Sequence, residues 1–152
     1  MQPTPEEGAM SSLTRNQIED AIKAGTRINL NGQNLEGLDL SGLDLSKFDF
    51  SYANLRETNF SNANLTEAIL WSVLAQGANF SQADLSSANL GTADLSESNL
   101  RNAILRKASL LGTNLSKADL RGADLSEANV QNMILEGAIH DAETKWPAGF
   151  KP

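Results

Sequence analysis

At 152 residues, with aromatics at 5%, no cysteine and a formal charge of −7, the chain has room for one domain whose core must come from small aliphatic side chains. The missing cysteines exclude disulfides and thiolate metal sites. The acidity disfavours non-specific contact with nucleic acid or anionic membrane, and there is no run of about 18 apolar residues to cross a bilayer.

Residues 1–13 open with MQPTPEEGAM, whose prolines, glutamates and glycine read as a disordered arm. The same stretch lacks a basic start followed by an apolar run, so no secretory signal is read there. The expected compartment is the cytoplasm; a periplasmic or thylakoid-lumen location would require a leader that has been removed. Residues 14–25 predict a short helical cap. Thr14 suits the N-cap, and Gln17 three residues later completes a capping-box pattern. Ile18, Ala21 and Ile22 fall on one face, and Gly25 suits the left-handed position after the last turn.

From Leu30 to Leu135 every fifth residue is apolar: of 22 such positions 17 are Leu and three are Phe (Phe50, Phe60, Phe80), the exceptions being Ala75 and Val130. We label this position i. Two residues earlier, 13 of the 23 positions from Ile28 to Ala138 are alanine. Position i−1 is mostly Asn or Asp, and i+1 is often Ser. Such a fixed period takes precedence over every other feature in reading the fold. Positions i−2 and i share one side of an extended backbone. The polar residues that follow are enough for a bend and too few for another strand. Glycine stands at i+2 seven times (Gly32, Gly37, Gly42, Gly77, Gly112, Gly122, Gly137), as a type II turn with φ > 0 at its third residue would favour. All four prolines (Pro3, Pro5, Pro147, Pro152) lie outside the repeat, as a ladder that uses its backbone N–H groups demands. A helix is a poor competitor, because five residues advance about 500° and the leucines would drift round all its faces.

The A-[DN]-L-x-x pattern, with clean copies ADLSS at 83–87 and ADLRG at 118–122, resembles the pentapeptide-repeat family over residues 28–139. The resemblance implies an all-β solenoid: a right-handed, quadrilateral parallel β-helix with four pentads per coil. This chain would make about five and a half coils, a rod roughly 25 Å long at ~4.8 Å per layer. The solenoid is expected over residues 26–140. A C-terminal lid or tail over 141–152 would carry Trp146, Pro147 and Phe150, an ending similar to that of cyanobacterial members.

With four pentads per coil, residues 20 apart stack. Leu45, Leu65, Leu85, Leu105 and Leu125 form one column, and Phe60 stacks on Phe80. In the pentad at 73–77, Val73 and Ala75 exchange the large and small positions, which keeps core volume. Ile28, Leu38, Leu43 and Phe48 are large where later coils have Ala, so the first mouth should be wider and filled, and the helix is the natural cover for it.

One face, built from 28–32, 48–52, 68–72, 88–92, 108–112 and 128–132, carries a single charge, Asp49. It also carries outward Tyr52, Ile69, Trp71 and Leu111, with Leu74 round the corner. These five are the candidate protein-interaction site, since exposed aromatics and clustered apolar side chains mark contact surfaces. Local packing against the arm or lid is the competing reading. The expected function is a non-catalytic, rigid scaffold that presents this flat face to a protein partner whose identity is unknown. The family resemblance supplies two alternatives, a DNA mimic directed at gyrase and a modulator of a cyanobacterial signalling pathway. Against mimicry, seven aspartates (Asp39, Asp44, Asp49, Asp84, Asp94, Asp119, Asp124) sit at i−1, where the repeat itself favours Asp or Asn. His140, the only histidine, reads as an end cap. Arg101, Arg106 and Arg121 are expected to pair with neighbours such as Asp119 and Glu127. No catalytic, cofactor or metal residue is read, and neither direct nucleic-acid binding nor membrane association is expected. The chain is expected to be a monomer or a weak homodimer, with Ile104, Ile134 and Ile139 as outward apolars.

Overall fold

The backbone N–H groups of one five-residue unit each have a separate destination, and together they specify the winding. The computed structural model describes residues 13–152; residues 1–12, most of the expected arm, lie outside the described residues. In the unit centred on Leu85, Leu85 N donates to Ile104 O at 2.7 Å and Ser87 N to Arg106 O at 2.9 Å, both one coil onward. Asp84 N donates back to Ala63 O at 3.0 Å, and Ala88 N closes the turn onto Leu85 O at 3.0 Å. The remaining N–H, of Ser86, is taken by the side chain of Asp84 at 2.9 Å. Every donor of the unit is satisfied, as buried or half-buried backbone requires.

This scheme repeats as parallel single-residue bridges between positions 20 apart, from Asn34↔Asn54 through Asp119↔Ile139. The chain therefore winds into a four-sided parallel β-helix. Every i residue from Leu30 to Leu125 is buried, and every i−2 residue from Phe48 to Ala128. Val73 and Ala75 are both fully buried, so the exchange of sizes is absorbed inside the core. Phe60 and Phe80 stack at 5.1 Å with an 8° interplanar angle, and Phe50 meets Phe60 edge-on at 5.8 Å. Polar residues at i−2 are also accommodated: Thr58 and Thr113 donate to Leu35 O and Leu90 O, both at 2.8 Å.

Position i+2 is left-handed in all units from 32 to 137, and most of these residues are not glycine; Tyr52, Glu97 and Asn132 have φ of 63°, 59° and 59°. The N–H of i+2 bonds to the next coil, as Thr92 N does to Leu111 O at 2.8 Å. That bond fixes the turn and overrides the local preference against φ > 0.

Helix α1, Arg15–Ala24, has the expected capping box of Thr14 and Gln17, and Gly25 ends it at φ 67°. Ile18 and Ala21 are buried, with Ile18 inside the solenoid's core cluster. Arg15 donates to the carbonyls of Asp39 and Ser41 at 3.0 and 3.1 Å. Leu13, expected in the arm, is instead half-buried against the core, as are Ile22, Ile28, Leu38 and Leu43.

The C-terminal boundary differs from the expectation. The repeat fails at His140 but resumes one residue out of step, so that Lys145 bridges to Asp124. Thr144 takes an i−2 place and donates to Leu120 O at 2.9 Å. Trp146 then falls at an i position, packs on the core and lies 5.3 Å from Phe150. His140 is exposed and meets Trp146 edge-on at 5.5 Å.

Candidate interaction surface

An Asn or Asp at i−1 serves the turn that follows it, because its Oδ1 accepts the N–H of i+1 in an Asx turn. Asn59 takes Ser61 N at 3.0 Å, and Asn79 takes Ser81 N at 2.9 Å. All seven i−1 aspartates do the same, accepting from Ser41, Ser46, Ser51, Ser86, Ser96, Arg121 and Ser126. Hydroxyl and backbone donors from Ser41, Ser46 and Ser51 hold the carboxyls of Asp39, Asp44 and Asp49 below their usual range. The hydrogen bond from Arg121 does the same for Asp119. The acidity of the repeat is thus turn chemistry.

Ile69 and Leu74 stand at i−1 and have no acceptor to offer. The N–H groups of Trp71 and Gln76 accordingly have no partner among the described residues. Gln76 adds a buried Oε1 without a partner, while its Nε2 donates to Asp94 Oδ2 at 2.6 Å. Gln76 gives no signal in the sequence, because a single glutamine in a polar position carries no pattern.

The structure draws Ile69, Trp71 and Leu74 together round one corner of a single coil. Ile69 and Leu74 are both 38% exposed, and Tyr52, at the corner one coil below, is 62% exposed. Tyr52 N donates to Trp71 O at 2.9 Å. Trp71 is half-buried because its six-membered ring lies where a Cβ at Gly91 would be, 2.3 Å from Cζ3 and 2.6 Å from Cε3. Leu111, also half-buried, stands two layers above Trp71 at about 10 Å. The strip from Trp71 across Gly91 to Leu111 therefore spans three coils without a charge.

The other outward aliphatics do not join it. Ile104 lies on a different face, and Ile134 and Ile139 lie in the last coil. Arg121 pairs with Asp119 at 2.7 Å, and Arg106 reaches Asp124 at 3.3 Å and Glu127 at 3.5 Å; Arg101 makes no ion pair among the described residues. An open cleft of about 200 Å³ beside Ile22, Arg27 and Phe48 holds no catalytic constellation. Among the described residues no group of acidic or imidazole side chains is arranged to hold a metal. No helix there is long and apolar enough to cross a membrane.

A family model described as pentapeptide repeats matches the chain in 8 copies, over residues 44–82, 70–102 and 103–139. Among solved structures the chain is similar to a pentapeptide repeat protein, Rfr23, from the cyanobacterium Cyanothece 51142. Identity is 32% over 76% of this chain and 88% of that one, with a TM-score of 0.58. It is also similar to a pentapeptide repeat protein from the Arabidopsis thaliana thylakoid lumen, 36% identical over 65% of this chain and 69% of that one, with a TM-score of 0.64. QnrB1, a plasmid-mediated fluoroquinolone resistance protein, is 20% identical over 72% of this chain and 79% of that one, with a TM-score of 0.26. No curated protein matches.

Proposed function

The chain belongs to the pentapeptide-repeat family, and from that premise we propose that it is a non-catalytic, rigid scaffold that docks another protein on the face around Trp71. The rod is right-handed, about five and a half coils long, with α1 as the cap on its N-terminal mouth. A backbone held by coil-to-coil hydrogen bonds loses little conformational freedom when it binds, which favours association through a small surface.

One observation carries this reading. Ile69 and Leu74 put exposed aliphatics where the repeat has hydrogen-bonding residues, next to the half-buried Trp71 and on and beside a face with a single charge. That arrangement suits a surface that a partner covers. Tyr52, Ile69, Trp71, Leu74 and Leu111 form the contact, with Trp71 as its aromatic anchor.

The test is capture of partners from native lysate by wild type and by Trp71→Glu, with circular dichroism to verify that the fold is kept. The partner should remain bound to wild type at moderate salt and be lost from the variant. Retention of every captured protein by Trp71→Glu would rule this face out. No separate observation favours the gyrase or the signalling reading.

A further inference from the structure

Gly91 is the only glycine at an i+1 position; the corresponding residues on its face are Asn31, Ser51, Trp71, Leu111 and Gln131. It differs from the i+2 glycines in a second way. Those have φ between 66° and 72°, a conformation that favours glycine, whereas the backbone at Gly91 is not left-handed. Its N–H makes the ordinary turn bond to Asn89 Oδ1 at 3.0 Å. Nothing in the backbone requires a glycine there.

Space requires it. A Cβ at position 91 would fall 2.3 Å from Cζ3 and 2.6 Å from Cε3 of Trp71, and 3.1 Å from Asn89 Oδ1. The first two distances are well inside van der Waals contact, and the ring belongs to the residue one coil below in the same column. We infer that Gly91 is the positioning residue of the candidate surface: the missing side chain is the seat in which the indole of Trp71 rests. The indole then occupies two layers of its column, and its pose is set before any partner arrives. An anchor already ordered in the free protein avoids part of the cost of ordering it on binding. The seat concerns the free protein alone; its consequence for a partner rests on the interface proposed above.

A coupling experiment tests the seat. Gly91→Ala is made in wild type and in Trp71→Ala, and thermal midpoints are compared. In wild type the added methyl strikes the ring, and the midpoint should fall by about 3 °C. In Trp71→Ala the ring is gone and that fall should vanish, since alanine at an ordinary φ also limits the unfolded chain. Equal falls in both backgrounds would overturn the inference.

A spectroscopic arm reads the pose directly. Trp146→Phe leaves Trp71 as the sole tryptophan of the two. Adding Gly91→Ala should then move the emission to longer wavelength and raise quenching by acrylamide, as the indole is pushed into water. Unchanged emission and quenching would show that position 91 does not set the pose. If emission shifts while a captured partner stays bound, the seat stands and its consequence for binding fails, the interface itself being decided by Trp71→Glu.

Discussion

Ile69 stands two residues before Trp71, where an Asn or Asp would accept the Trp71 N–H, and that N–H has no partner among the described residues. Ile69→Asn should restore the turn bond and raise stability by about 1 kcal/mol. The check is a urea midpoint that rises at unchanged slope. The same variant should bind a captured partner more weakly. A variant neither more stable nor weaker in binding would remove the reason for treating Ile69 as part of a contact.

Backbone strain at i+2 can be measured without touching the core. Gly42 has φ +70° and open space where a Cβ would stand, so Gly42→Ala adds a conformational penalty and no clash. It should lower stability by about 1–2 kcal/mol. Conversely, Glu97 at φ 59° should gain about 1 kcal/mol on conversion to glycine, partly offset by the greater freedom of the unfolded chain. Both effects are read as shifts of the chemical unfolding midpoint.

Much of this architecture is legible in the residues themselves. The leucine columns, the stacked Phe60 and Phe80, the exchange at Val73 and Ala75 and the capping box of Thr14 and Gln17 all follow from spacing and side-chain chemistry. Other features are not legible, for identifiable reasons. Glycine at seven of the i+2 positions hints at left-handed turns, but Tyr52 and Thr92 adopt them because their N–H groups bond to the next coil. The resumption at Thr144 spans one unit, too short for a period to register. Gly91 resembles any surface glycine until it is set against Trp71, 20 residues earlier. For the candidate surface, its residues could be picked out by charge and face, whereas the half-burial of Trp71 and the free N–H groups needed coordinates.

The interior should be intolerant of charge. Leu85 is fully buried. Leu85→Ala should cost about 3 kcal/mol through lost contacts and a residual cavity, and the chain should still fold. Leu85→Asp buries an unpaired carboxylate and should abolish the β-sheet circular dichroism signal at neutral pH.

Acid should loosen the first coils. Donors from Ser41, Ser46 and Ser51 depress the carboxyl pKa of Asp39, Asp44 and Asp49 in the folded chain. A depressed folded-state pKa means that the unfolded chain binds more protons. The stabilisation is therefore present above the unfolded value of about 3.9 and lost as pH falls through the folded values. The thermal midpoint should hold near neutrality and drop below about pH 4. Converting all three to Asn keeps the Oδ1 acceptor and should make that drop shallower.

Site-specific photocrosslinking decides most directly whether the face around Trp71 is the docking surface. A photoreactive phenylalanine analogue replaces Tyr52 on that face, or Gln82 on the face two turns round the coil, and each protein is irradiated in native lysate. The account predicts a discrete adduct from position 52 that disappears on Trp71→Glu, and none from position 82. An adduct from position 82 alone, or no adduct from position 52, would contradict it.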